Sequence, residues 1–133
     1  MNAKIYPSSI QGEISVPSSK SHTIRALIIA TLAGGRSYIR NPLLSDDCKA
    51  AMRIAGQFGS TVTAEDGVWI VDGPVDGLKT PDDIVNVDNS GTTLYFMTSV
   101  AALLRDYTVF TGDKSIRKRP LQPLLTALNQ LGA

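Results

Sequence analysis

Val16-Pro17-Ser18-Ser19-Lys20-Ser21-His22-Thr23-Ile24-Arg25 runs directly into an uncharged stretch from Ala26 to Gly35. The proline closes an extended segment, and small hydroxyl residues follow where a helix should begin. Ser18, Ser19 or Ser21 can cap that helix, whose free N–H groups and positive dipole end suit an anion. Lys20 adds a mobile point charge and Arg25 a planar fork, a pair suited to gripping phosphate or carboxylate. Ser21 and Arg25 are four residues apart and share one helix face. Ile24, Leu27, Ile28, Thr31 and Leu32 form a separate apolar stripe. Taken alone, two cations at a helix start are also consistent with plain surface charge.

The bulk numbers narrow the field. A chain of 133 residues can bury a real core. A net charge of +1 with 19% charged residues argues against nucleic acid as a partner held by bulk electrostatics. No apolar run reaches membrane-spanning length and no signal-peptide core is present, so the expectation is a soluble, cytoplasmic protein without a membrane partner. Cys48 is the single cysteine and excludes an internal disulfide. With one histidine besides, no structural zinc site is expected.

Along the chain, residues 3–6 and 12–16 read as short strands. The helix beginning near Ser19 ends at Gly34-Gly35. Ser37 to Arg40 reads as a strand, and Ser45-Asp46-Asp47 opens a second helix, with Ala51, Ile54, Ala55 and Phe58 as its buried face and Gly59 as its end. Thr61 to Thr63 and Val68 to Val71 form a hairpin around Glu65-Asp66-Gly67, with Trp69 packed on the sheet. After a polar connection the order resumes. Ile84 to Val87 is a strand, Asn89-Ser90-Gly91-Thr92 a helix start, and Thr93 to Leu104 an uncharged helix. Tyr107 to Phe110 is a strand. Pro120 to Leu131 is a helix striped by Leu121, Leu124, Leu125 and Leu128.

The second half is a diverged copy of the first. Val16 pairs with Val87, Ser19 with Ser90, Ser21 with Thr92, Ala30 with Ala101 and Leu32 with Leu103, all at one constant offset. After a small insertion, Gln57-Phe58-Gly59-Ser60 matches Gln130-Leu131-Gly132-Ala133. Unit one covers about 1–72 and unit two about 83–133, the second stopping where its hairpin should begin. The chain therefore reads as one incomplete domain cut inside a repeat. The helical stretches Ala26 to Gly35 and Ser90 to Leu104 carry no charge, which predicts burial on most sides at the centre of the fold. A Rossmann domain would need a glycine-rich turn after its first strand, and Pro17-Ser18-Ser19-Lys20 has none.

Three helix starts share an anion-seeking character: Ser19-Lys20-Ser21 with Arg25, Asn89-Ser90-Gly91-Thr92, and Gly112-Asp113-Lys114-Ser115-Ile116-Arg117-Lys118-Arg119-Pro120. Gly91 lets a ligand approach backbone N–H groups closely, and Pro120 fits a first helical position. Equivalent ends of repeated units tend to lie together, so these starts are expected to converge on one cleft. The bland reading of Arg117, Lys118 and Arg119 is a solvated charge run. His22 reads as structural or exposed, Asp46 and Asp47 as cap and cleft-edge residues able to support a cation, and Cys48 as core.

In that order and approximate spacing, these motifs together with Leu131-Gly132-Ala133 resemble the enolpyruvyl transferase family of the EPSP synthases (3-phosphoshikimate 1-carboxyvinyltransferase), over nearly all 133 residues. The resemblance implies an inside-out α/β fold of repeated βαβαββ units around buried central helices. In the longer family chain, two domains of three such units enclose shikimate 3-phosphate and phosphoenolpyruvate. The enolpyruvyl group passes to the shikimate 5-hydroxyl and phosphate leaves, with no cofactor and no metal. By position Lys20 resembles the lysine touching both substrates and serves as the catalytic candidate. Ser21 and Arg25 resemble shikimate 3-phosphate ligands. Gly91 and Arg119 resemble phosphoenolpyruvate ligands, and Asn89 and Thr92 shape the same loop.

Two departures stand out. Tyr95 occupies a position where many members carry arginine, which weakens any statement on the anion clamp or on glyphosate. The acid–base carboxylates, a second lysine and further arginines belong to the C-terminal part of the enzyme, so the 133-residue chain alone is expected to be inactive. Competing readings are a non-catalytic phosphate-binding module, an RNA 3′-phosphate cyclase fragment, and the sister UDP-N-acetylglucosamine enolpyruvyl transferase. The last has lysine-asparagine where this chain has Lys20-Ser21.

Overall fold

The structure, a computed structural model, describes residues 3–133. Short hydroxyl side chains start its three main helices. Ser19 ends an extended backbone, and its hydroxyl accepts the His22 N–H to open α1 (Lys20–Leu32). Ser45 does the same for the Cys48 N–H at the start of α2 (Asp46–Gln57), where Asp46 and Asp47 complement the helix dipole. Ser90, fully buried, caps α3 (Gly91–Ala101) through the Thr93 N–H.

Between these helices the chain builds two sheets. β1 (Arg36–Arg40), β2 (Thr61–Glu65) and β3 (Val68–Asp72) form an antiparallel sheet in the order β1-β3-β2. Its hairpin turns at Asp66-Gly67, both in the left-handed region (φ 44° and 73°), as a two-residue connection requires. β4 (Val85–Asn86) and β5 (Phe110–Thr111) pair in parallel. A 3-10 turn (Ile116–Lys118) and α4 (Gln122–Gln130) complete the order. The arrangement is a mixed α/β domain.

One core joins these parts. Ile24 and Leu27 of α1 meet Ile54 of α2, Trp69 of β3 and Leu94 and Met97 of α3. The expected buried face of α2 is observed, and Trp69 is 1% exposed. Val85, Val87 and Ile116 extend the core beneath the second sheet.

Several expectations are corrected. Residues 3–6 and 12–16 are not strands: no strand pairs with them among the described residues, and Ile5, Ile10 and Ile14 stand in solvent. Apolar alternation without a partner ladder leaves N–H and C=O groups to water, and no strand forms. The strand expected over Tyr107 to Phe110 sits at Phe110–Thr111, because only there does the register meet Val85–Asn86; Tyr107 is 97% exposed. Pro120 is not the first helical residue. α4 starts at Gln122, with Pro123 in its first turn, where a missing N–H costs nothing. The leucines of α4 lie half-buried or exposed, and no residue of that helix is fully buried. Burial of the uncharged helices is one-sided at their outer face. Ile29, Leu32, Phe96 and Leu103 remain open to solvent beside a groove of about 310 Å³ between α1 and α3.

The contact between α1 and the end of β3 leaves no space for a side chain. A Cβ on Gly73 would lie 2.6 Å from the Ala30 carbonyl oxygen and 3.1 Å from that of Thr31. Both obstacles are helix backbone, so the sheet or the helix would have to shift. Gly73→Ala should therefore destabilise the domain by about 1–3 kcal/mol. Gly56→Ala, at a helical position with open space around the added methyl, should be neutral or stabilising. Chemical denaturation of the two variants checks this; equal midpoints would show that the α1–β3 contact is not tight.

Candidate functional site

The first motif occupies the opening turn of α1. Lys20 Nζ donates to Asp47 Oδ2 at 2.7 Å, so a carboxylate from α2 holds the cation. Arg25 Nε donates to the Ser21 carbonyl at 3.1 Å, one helical turn back, and places both residues on one exposed face. Arg25 has no acidic partner among the described residues. Thr23 is buried beneath them. Its hydroxyl donates to the Ser19 carbonyl and accepts from the Leu43 N–H, fastening the loop after β1 to the start of α1. His22 is exposed, and Cys48 is buried in the core beside the Lys20 carbonyl.

The second and third motifs are joined directly. The Asn89 side-chain amide donates to one oxygen of Asp113, and the Ile116 N–H donates to the other at 2.8 Å. The Asp113 N–H in turn donates to the Asp88 carbonyl at 2.8 Å. Asp88 sits in the left-handed region, and its carboxylate accepts from Arg53 Nη2 of α2 at 2.9 Å. The same nitrogen reaches the Asn86 carbonyl at 2.9 Å. Gly112 must be glycine here, since a Cβ would fall 2.8 Å from the Asp88 oxygen and 2.5 Å from Ile116 Cγ2.

Arg119 lies against the start of α3. A Cβ on Gly91 would stand 2.5 Å from Arg119 Nη1 and 2.9 Å from Cζ, so the guanidinium rests on the space that glycine leaves. Tyr95, one turn further along α3, donates its hydroxyl to the Pro120 carbonyl at 3.0 Å. Thr92 is half-buried on the same turn. The third motif is not an α-helix start, as had been expected. It is a 3-10 turn in which Asp113, rather than the residue preceding the turn, satisfies the first N–H.

Two of the three expected starts are thus in contact, whereas the first is tied to α2 and shares no hydrogen bond or ion pair with the others among the described residues. Sequence reasoning assigned no role to Asp113, Arg53 or Asp88. The sign available for Asp113 was a carboxylate three residues before a turn, a spacing that caps N–H groups. Chemically, the site presents exposed Lys20, Arg25 and Arg119 beside two helix N-termini, a setting for phosphorylated or carboxylated ligands. No group of three or more metal-ligating side chains gathers among the described residues.

The Ile116 N–H first, and the Asn89 amide second, hold the Asp113 carboxyl below the usual carboxylate range, with partial desolvation opposing them. A carboxylate with a depressed folded value stabilises the fold fully above its unfolded value, about 3.9. That contribution is lost as pH falls through the folded value. Asp113→Asn should therefore lower stability at neutral pH and flatten the loss of stability on acidification below about pH 4. Denaturation curves across that range check it; parallel pH profiles for the two proteins would contradict the capping role.

A family profile described as EPSP synthase (3-phosphoshikimate 1-carboxyvinyltransferase) matches residues 5–133. The chain is 47% identical over 133 residues to a 3-phosphoshikimate 1-carboxyvinyltransferase of Acetivibrio thermocellus, covering 100% of this chain and 31% of that relative. It is 50% identical over 124 residues to one of Methanothermobacter thermautotrophicus, covering 93% of this chain and 29% of the relative. The fold superposes on a solved EPSP synthase of Acinetobacter baumannii with TM-score 0.84 at 27% identity, over 92% of this chain and 28% of that one. The chain thus spans less than a third of the length of these relatives. With the match running across the whole set of motifs, the chain belongs to the EPSP synthase family.

Proposed function

We propose that this chain supplies the N-terminal part of the substrate cleft of a cytoplasmic 3-phosphoshikimate 1-carboxyvinyltransferase. In this reading residues 1–72 and 83–133 are two repeat units of one domain, the second incomplete, and the C-terminal remainder of the enzyme closes the cleft. Shikimate 3-phosphate and phosphoenolpyruvate are the substrates. The observation that carries the reading is the packing of Arg119 on Gly91 at the start of α3, within a chain whose motifs match the family end to end.

The work assigned to this chain is binding and electrostatic. Ser21 and Arg25 hold the 3-phosphate of shikimate 3-phosphate. Arg119, with Asn89, Gly91 and Thr92 shaping the turn beneath it, holds phosphoenolpyruvate. Lys20 reaches both. The shikimate 5-hydroxyl adds to C2 of the enolpyruvyl group while C3 gains a proton. The resulting tetrahedral intermediate loses phosphate and a C3 proton to give the enolpyruvyl ether. Cations fixed before the reaction favour charge developing on the leaving phosphate without reorganisation. Lys20 must exchange Asp47 for substrate oxygen, and an exposed ion pair of this kind is worth only about 0–1 kcal/mol, so the exchange is cheap.

The test is substrate titration of the full-length enzyme bearing this segment. Arg25→Ala should weaken shikimate 3-phosphate, Arg119→Ala phosphoenolpyruvate, and Lys20→Ala both. Each loses a charge-assisted hydrogen bond of about 1.5–3 kcal/mol, roughly a tenfold to hundredfold change in affinity. Should Arg119→Ala cripple shikimate 3-phosphate binding and spare phosphoenolpyruvate, the assignment of the two arginines is wrong.

The 133-residue chain alone should release no phosphate from the substrate pair, because proton transfer needs groups outside it. A phosphate-release assay showing turnover near that of a complete enzyme would overturn the division of labour. Phosphate binding without turnover by the full-length protein would favour a non-catalytic module.

A further inference from the structure

We propose that Tyr95 is a positioning residue for Arg119, setting the guanidinium over Gly91 through the Pro120 carbonyl; this rests on the reading of Arg119 as the phosphoenolpyruvate ligand. Tyr95 follows Gly91 by four residues on α3 and so projects from the same helix face. Its ring is half-buried, and its hydroxyl donates to the Pro120 carbonyl at 3.0 Å. Arg119 itself makes no side-chain hydrogen bond among the described residues, so its backbone and its packing on Gly91 fix where the guanidinium stands.

That backbone is held on both sides. On the N-terminal side the Arg119 N–H donates to the Ile116 carbonyl at 2.9 Å, in the turn that Asp113 caps. On the C-terminal side Pro120 has no N–H, and its carbonyl is the polar handle that Tyr95 takes. The following proline also confines Arg119 to extended backbone, observed at φ −70° and ψ 134°. Glycine at 91 then provides the space in which the guanidinium rests. An arginine fixed in this way loses less conformational freedom on gripping an anion than one on a free loop. The hydroxyl of Tyr95 therefore raises affinity for the ligand of Arg119 without touching it.

Tyr95→Phe in the full-length enzyme removes the hydroxyl and keeps the ring. The dissociation constant for phosphoenolpyruvate should rise about two- to tenfold, the range for one neutral hydrogen bond, and that for shikimate 3-phosphate should not change. In an Arg119→Ala background the same substitution should cause no further loss, because the effect passes through Arg119. Additive losses, equal weakening of both substrates, or unchanged phosphoenolpyruvate affinity would each overturn the proposal. If the wild-type enzyme binds no phosphoenolpyruvate, the proposed function fails separately. Inorganic phosphate then serves as the probe, and equal phosphate affinity in wild type and Tyr95→Phe overturns the positioning role.

Discussion

The geometry of the second and third motifs depends on one carboxylate. Asp113 follows β5 after Gly112, and its own N–H is spent on the carbonyl of Asp88, two residues past the end of β4. Its side chain therefore stands where the parallel strand pair gives way to the α3 start. One oxygen takes the Asn89 amide and the other the Ile116 N–H. Without it, only backbone bonds would join the turn before α3 to the 3-10 turn, and the Ile116 N–H would lose its partner. With it, Ile116 is driven into the core and Arg119, three residues on, is delivered to the face of α3. Arg53 extends the same chain of contacts into α2, so the turn before α3 is fastened to that helix.

Much of this could be seen in the sequence, for reasons that differ between elements. The helix starts at Ser18 to Ser21, Ser45 and Asn89 to Thr92 are legible because small hydroxyl residues there can take a free N–H; the structure selects Ser19 from the first three serines and uses Ser45 and Ser90. The Asp66-Gly67 hairpin was legible because two left-handed residues in succession specify a turn. The opening strands were misread because apolar alternation says nothing about whether a partner strand is present. Absence of charge after Arg25 in α1 and throughout α3 predicts burial on most sides. It marks two kinds of surface that pattern cannot separate: Ile24 and Leu27 are in the core, whereas Ile29 and Leu32 line the open groove with Phe96 and Leu103. The joining contacts escaped notice because they are long-range, with Asn89 meeting Asp113 and Arg53 meeting Asp88. Tyr95 was noticed as a departure from the family, but its partner Pro120 belongs to a segment whose start was misplaced.

The cations of this surface divide by how they are held, and the division matters more than their number. Lys20 is held by one ion pair, through a flexible stem that is itself half-exposed, with Asp47 partly buried, so an incoming anion can compete for it from the solvent side. Arg25 leans on its own helix backbone and keeps the rest of its fork unpaired among the described residues. Arg119 is held by shape: proline after it, a capped turn before it, glycine beneath it. A flexible cation can turn from one partner to another, whereas one fixed in advance acts on charge without reorganising. The paired Lys20 and the seated Arg119 offer these two kinds of hold from two different helix starts, and the link from Arg53 through Asp88 to Asp113 fastens the second start to α2.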